Sequence, residues 1–475
     1  MNLSMPLAFF AGSVCIAGVM MIARRRILQA LLLVAYFSLL GALLTHEFTF
    51  LDVVEAEYLK ADPLAVLFLG VLAIVGSLAA YYGMAYAKHR GDNDRQVATH
   101  NAALVLFLTM VVGVYISRHI GLVWAFLEAS TLTSAILIYY NRNKHSVEAT
   151  WKYVFVCSIG IAIAFAGILF LSIASEAREV HDLSFEAIRI TAPTMNAGWL
   201  KFAFLFMVTG FSVKMGVAPL FNVDIDAKDG APSHVAALLS SVLMIAGFMA
   251  IFRVYMALAG TSILPWMNSV LIIVGLMSVF FAAIYISKIK NVKRILAYSS
   301  LEHAGIVLIA VGSGAWFAAV LHVILHAFAK SSLFFQYAHF FRLYQTKNVH
   351  SAGDYIKHHP AGAGVLILGL LAITAVPPMG TFITELFMFK ALFSGPHAWV
   401  AFPLFLLITI ILWGLTKNVL SILYRPAPSV IHPAAPFTVM ETIPQYALLL
   451  AVVYLGFFAP PAFVQFVQSA VTFHP

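Results

Sequence analysis

The chain has 475 residues, of which 62% are hydrophobic and 10% charged, with a formal net charge of +8. A soluble domain averages about 25% charged residues, so a water-soluble enzyme and a nucleic-acid-binding module are excluded. Apolar runs of about 18 or more residues recur from end to end, each able to cross a hydrocarbon core of about 30 Å. The fold class is an all-α polytopic membrane protein.

Fourteen transmembrane helices are expected. In chain order they fall at about 4–22, 27–46, 63–87, 101–117, 120–140, 152–174 and 200–221, then at about 232–257, 264–287, 293–313, 315–341, 361–395, 398–423 and 443–470. The segment 361–395 is too long for one simple span and contains Pro377-Pro378-Met379-Gly380, which predicts a broken helix. A second interruption is expected at Gly216 and Pro219. Such breaks are tolerated at membrane depth only where protein or a watery cavity meets the freed backbone groups. Paired interruptions in two halves of a chain point to a transporter built on inverted repeats. The expected organisation is three N-terminal helices in 1–100, a first repeat in 101–257, a second in 264–425 and a C-terminal helix in 426–475.

Orientation follows from the basic residues. Arg24, Arg25, Arg26, Lys88, Arg90, Arg95, Arg142, Lys144, Lys288, Lys290, Lys293, Arg294, Arg342, Lys347, Lys357 and Arg425 all fall on one side. Opposite loops carry Asp52, Glu55, Glu57 and Asp62, and Glu176, Glu179, Asp182 and Glu186. The basic side is expected to face the cytoplasm, with both termini on the outer side of the cell inner (plasma) membrane. This excess accounts for most of the positive charge. Met1–Ile22 lacks a basic leading region and reads as an anchor rather than a cleaved signal. Cys15 and Cys157 lie inside expected helices and read as packing thiols.

Ionisable residues interrupt the apolar runs. Glu128 lies in GLVWAFLEASTLTSAILIYY, with Thr131 and Ser134 on neighbouring turns. A buried carboxylate seeks a cation, and Lys214, just before the Pro219 break, is the nearest by helix order. Lys330 lies midway along FAAVLHVILHAFAKSSLFFQYAHFF, with His326 and His322 four and eight residues earlier on the same helical face. A cation at that depth costs roughly 2.5–3.5 kcal/mol, so a proton relay is the reading for this helix. His322 and His326 offer no obvious third metal ligand, and Lys330 would repel a cation, so no metal site is expected. Glu385 follows the second break as an exit group toward the outside, with Lys390 as a partner. His303, beside Glu302, is expected to link the Lys330 region to the cytoplasm, and His234 to line the first path. No Walker loop, G-x-G-x-x-G in a βαβ context or CxxC is present, so no redox, ATP or cofactor chemistry is expected of this chain.

NVKRILAYSSLEHAGIVL (Asn291–Leu308), HAFAKSSLFF (His326–Phe335), KMGVAPLF (Lys214–Phe221), DAKDGAPSHVAALLSSVL (Asp226–Leu243) and VPPMGTFITELFMFKAL (Val376–Leu392) resemble, in order, the signatures of antiporter-like subunits of respiratory complex I and membrane-bound hydrogenases. The AYSSLEHAG form is most similar to hydrogenase-4 component F. The resemblance implies fourteen helices with two inverted five-helix repeats. It implies a conducting set of Glu128 and Lys214 in one half and Lys330, His326 and Glu385 in the other, with Glu128 paired to Lys214. It also implies membrane partners of antiporter-like and small types, and a redox arm of hydrogenase or dehydrogenase type carrying [NiFe] and Fe–S centres. Departures occur at Phe221, Val223 and Lys228, where histidine, tryptophan and histidine are usual, and at Ile245, where many relatives carry a lysine or another polar residue. His234, Ser240 or Ser241 would then have to complete the central relay through water. The expected function is a proton-translocating subunit of a hydrogenase-4 or formate hydrogenlyase type complex. Alternatives are a cation/proton antiporter subunit, an energy-coupling subunit for inorganic-carbon uptake, and a structural anchor.

Overall fold

Residues 4–51, 58–176, 182–426 and 437–472 are described by the computed structural model. Asp52, Glu55, Glu57 and Glu179 lie outside them.

Polar residues between the apolar runs set where helices begin. Asp62 accepts from the Ala65 amide at 2.7 Å and Asn93 from that of Gln96 at 2.8 Å. Asn196 and Asn291 cap two further starts in the same way. Each satisfies a backbone donor that the first turn leaves unpaired. The first half contains α1 (Met5–Ile22), α2 (Arg26–Thr49), α3 (Pro63–Arg90), α4 (Asp94–Ile116), α5 (Ile120–Ile138), α6 (Lys144–Glu176), α7 (Phe185–Thr191), α8 (Ala197–Met215), α9 (Asn222–Gly230), α10 (Ser233–Leu238) and α11 (Met244–Leu258). A π-helical turn, Leu239–Leu243, joins α10 to α11. The second half contains α12 (Leu264–Lys288), α13 (Val292–Gly312), α14 (Trp316–Tyr344), α15 (Tyr355–His358), α16 (Pro360–Ile373), α17 (Gly380–Ser394), α18 (Ala401–Tyr424), α19 (Val439–Phe457) and α20 (Pro461–Val471).

Among the described residues, thirteen helices are long and apolar enough to cross a membrane, and Pro360–Ile373 is a shorter apolar helix. Both expected interruptions are present. Gly216 ends α8 in the left-handed region (φ 75°), and the chain resumes as α9 six residues later. Residues 374–379 separate α16 from α17. The expected single span 443–470 needs correction. Its helix ends at Phe457 and restarts at Pro461, because Pro460 and Pro461 cannot donate to the preceding turn. Cys157 is buried, whereas Cys15 lies on the exposed surface of α1.

Without a hydrophobic drive between helices in lipid, close contact depends on small residues. A Cβ on Gly210 of α8 would sit 2.4 Å from the Ala164 nitrogen of α6. Gly275 of α12 and Gly305 of α13 meet in the same way. The spans Ser233–Leu258 and Val292–Gly312 are wholly enclosed, and Trp316–Tyr344 nearly so. These three form the centre of the bundle, and the ionisable side chains of the site project from them, from the two broken helices and, at Glu128, from α5.

Candidate functional site

The first cluster gathers around Lys214, at the end of α8 and 1% exposed. Its Nζ donates to Thr131 Oγ1 at 2.7 Å, Ser130 Oγ at 3.3 Å and Tyr153 OH at 3.4 Å. Ser134 donates to the same tyrosine oxygen at 2.9 Å. Glu128 is half-buried on α5 and accepts from Ser158 at 2.9 Å. Its other oxygen lies 3.4 Å from the Thr131 hydroxyl. The expected direct Glu128–Lys214 pair is thus replaced by an indirect one. Residues 128 and 131 are neighbours on one helical face, so the threonine hydroxyl reaches the ammonium first.

One central pairing was missed from the sequence, where Lys228 was noted only as a departure and Asp224 not at all. Asp224 and Lys228, one turn apart on α9, form a buried ion pair in direct contact, 5% and 1% exposed. A Cβ at Gly216 would meet Asp224 Oδ2 at 2.6 Å, so the pair is seated against the break that begins just after Lys214. Helix α9 packs against α6, which carries Tyr153, and against α13, which carries Ser299, so the pair lies on the helix between the two lysine clusters. The i, i+4 spacing of opposite charges was the available signal.

In the second cluster, His322, His326 and Lys330 all face α13. Lys330 Nζ donates to Leu296 O at 3.1 Å and to the Ser299 hydroxyl. His326 lies with its ring 5.1 Å from that of His303, and neither of its ring nitrogens has a protein partner. His303 Nδ1 and His322 Nε2 are 2.9 Å apart. His322 Nδ1 lies 2.8 Å from Thr384 Oγ1, and Glu385 is the next residue along α17. Ligating atoms of His303, His322 and Glu385 all lie within 4.8 Å of one another. Glu302 is buried beside His303, with one carboxylate oxygen unpartnered.

Two expectations change here. His303 does not lead from Lys330 toward the basic loops. Helices α13 and α14 are antiparallel, so the step from Ser299–Lys330 to His303–His322 runs away from the basic ends and toward Glu385. Lys390 is exposed and forms no ion pair with Glu385, because five residues of helix rotate it to another face. His234, expected to line the first path, is paired on α4. Its Nε2 lies 2.9 Å from His100 Nε2, a partner on α4 that no local pattern betrayed. Ser240 meets Ser300 at 3.2 Å, tying the π turn to α13 beside Ser299.

At the basic ends a cavity of about 460 Å³ opens between α3, α10, α13 and α14, with His234, Lys293, His339, Arg342, Asp229 and Glu441 in its wall. Asp229 holds Lys347 at 2.6 Å and Arg294 Nε at 2.9 Å. Glu441 at the start of α19 holds Arg342 at 2.9 Å, His89 at 3.0 Å and His339 at 3.4 Å.

A fold of long apolar helices around buried lysines, carboxylates and histidines defines an ion-translocating class of membrane subunit. The family model described as NADH:quinone oxidoreductase/Mrp antiporter, transmembrane, matches residues 117–412, and the chain belongs to that family. It is 28% identical over 349 residues to a hydrogenase-4 component F homolog of Methylacidiphilum infernorum (isolate V4), covering 71% of this chain and 73% of that protein. It is 26% identical over 351 residues to hydrogenase-4 component B of Escherichia coli (strain K12), covering 71% of this chain and 51% of that protein. A Na(+)/H(+) antiporter subunit A1 of Staphylococcus haemolyticus (strain JCSC1435) is 24% identical over 358 residues, or 72% of this chain and 43% of that protein. The fold matches a chain in the structure of the membrane-bound sulfane sulfur reductase, an archaeal respiratory membrane complex, with TM-score 0.85 at 19% identity over 98% of this chain and 97% of that one. It matches equally, TM-score 0.85, a chain of the Mrp complex from Dietzia sp. DQ12-45-1b, at 15% identity over 99% and 97%.

Proposed function

We propose that this chain is the proton-translocating membrane subunit of a complex I-like oxidoreductase of hydrogenase-4 or formate hydrogenlyase type. On this reading a redox arm with [NiFe] and Fe–S centres belongs to partner subunits, and this chain moves charge. Its two broken helices belong to two inverted five-helix repeats, with the basic loops in the cytoplasm.

One observation carries the reading. Lys214 and Lys330 are both fully buried, and each is held by hydroxyl or carbonyl oxygens rather than by a carboxylate within ion-pair distance. A lysine locked in an ion pair keeps its proton. One held by neutral acceptors gains or loses it as neighbouring charges change. Here those neighbours are Glu128, the Asp224–Lys228 pair and Glu302. A proton taken up at Lys214 changes the charge that the Asp224–Lys228 pair faces, the pair passes that change on to Lys330 without giving up its own proton, and the second cluster releases a proton through His303, His322 and Glu385.

The likeness to antiporter subunits favours a second reading, a subunit of a cation/proton antiporter without redox partners. Purification of the native complex with metal analysis separates the two, since only the first requires nickel and iron in the assembly. The shared core is tested by reconstituting the assembled complex in vesicles. Proton translocation by Lys214→Ala and Lys330→Ala at the wild-type rate would refute it.

A further inference from the structure

The contact between His303 and His322 is unbalanced in its hydrogen bonding. His303 Nε2 lies 3.2 Å from the Ile373 carbonyl, which can only accept, so Nε2 carries the hydrogen and the neutral ring leaves Nδ1 bare. On the other side, Thr384 donates its hydroxyl hydrogen to Thr381 O at 2.8 Å. It therefore accepts from His322 Nδ1, which leaves His322 Nε2 bare as well. The two bare nitrogens face each other at 2.9 Å. Two lone pairs at that distance are held together by a cation between them. A proton in transit is one such cation, and the third ligand nearby makes room for another.

We infer that His303, His322 and Glu385 form a binding site for a divalent transition-metal ion of the zinc type, and that the ion blocks the relay by lodging in it. Zinc takes imidazole nitrogen at about 2.0–2.1 Å and carboxylate oxygen at about 2.0–2.2 Å, and a three-ligand set leaves one position for water. Tetrahedral geometry spaces ligand atoms roughly 3.3 Å apart, which asks for a slight opening of the histidine pair and a swing of the glutamate. The outer nitrogens of both rings are already tied to a carbonyl and a hydroxyl, the arrangement that fixes ring orientation in metal sites. Charge is favourable: Glu302 and Glu385 offset Lys330, whose ammonium is turned one helical turn away to Leu296 and Ser299. Glu385 is the least enclosed of the three at 8% exposed, so an ion arrives from its side. The i, i+4 pair His322 and His326, set aside as a metal site in the sequence for want of a third ligand, is not the pair used here, because the third ligand comes from α17 and the second histidine from α13.

The binding claim stands on this geometry, and the blocking claim rests on the functional reading. The full chain in lipid nanodiscs is titrated with Zn²⁺, and with Co²⁺ for its visible spectrum, and X-ray absorption reads the ligands. One ion per chain with two imidazoles is expected. His303→Ala, His322→Ala and the isosteric Glu385→Gln should each weaken binding at least about tenfold, while His234→Ala, in the other buried histidine pair, should leave it unchanged. Glu385→Gln keeps the site's shape, so it decides the matter if the alanine variants fail to fold. Wild-type affinity in Glu385→Gln, or loss of binding in His234→Ala, overturns the site. In vesicles Zn²⁺ should stop wild-type translocation. A chain that binds zinc at these residues but moves no protons refutes the functional reading alone. One that moves protons at an undiminished rate with zinc bound there refutes the blocking claim.

Discussion

Lys214 and Glu128 are joined through the hydroxyl of Thr131, which accepts from the ammonium at 2.7 Å and lies 3.4 Å from the carboxylate. The threonine is thus the shortest connection between the first lysine and the acid on α5. Thr131→Val keeps the shape and removes the oxygen. Leaving a buried charged group short of a partner costs about 1–3 kcal/mol, so translocation should fall roughly tenfold or more. Thr131→Ser should restore most of it. Proton uptake by reconstituted vesicles measures both.

The Asp224–Lys228 pair makes a prediction of a different kind. Lys228→Met leaves Asp224 enclosed without its cation, and breaking a buried pair costs about 3–5 kcal/mol. Asp224→Asn with Lys228→Met removes both charges and should recover most of the stability. Translocation should stay low in the double variant, because the charge between the two lysine clusters is gone. Thermal unfolding in detergent, set beside vesicle uptake, separates these effects. Full uptake in the double variant would exclude the pair from the path.

A third prediction concerns the seat of Lys214. A Cβ on Gly247 of α11 would lie 2.3 Å from the Met215 nitrogen. Gly247→Ala must push the end of α8 away, at a cost of about 1–3 kcal/mol, and displace Lys214 from Thr131. Lower melting temperature and lost uptake are expected together. Gly18→Ala on α1 meets nothing within 4 Å and should change neither.

Glu441 ties α19 to α3 and α14 through Arg342, His89 and His339, with its side chain 7% exposed. Glu441→Gln removes the shared anion and leaves Arg342 without it. Faster amide exchange confined to the start of α19 is the expected result, by about 2–4 kcal/mol of local opening. Exchange at the wild-type rate would show that the apolar face alone docks this helix.

The sequence by itself determined the class, the order of the apolar helices and the two breaks, though it counted fourteen spans where thirteen helices are long and apolar enough to cross. These depend on local quantities: apolar length against bilayer thickness, and the donor that proline lacks. It also placed Lys330, His326 and His322 on one face, since helical periodicity is a property of spacing alone. What only the tertiary structure decided is which residues meet. Thr131 stands before Glu128 at Lys214, His303 reaches His322 rather than the basic loops, and His234 finds His100 across 134 positions of chain. Asp224 and Lys228 stand at a spacing that suits an ion pair, but the pair was not read from the sequence, and its place between the halves is set by packing alone. Such meetings depend on how far small residues let two helices approach and on how each is rotated about its axis. Packing fixes both, and no pattern within one helix records them.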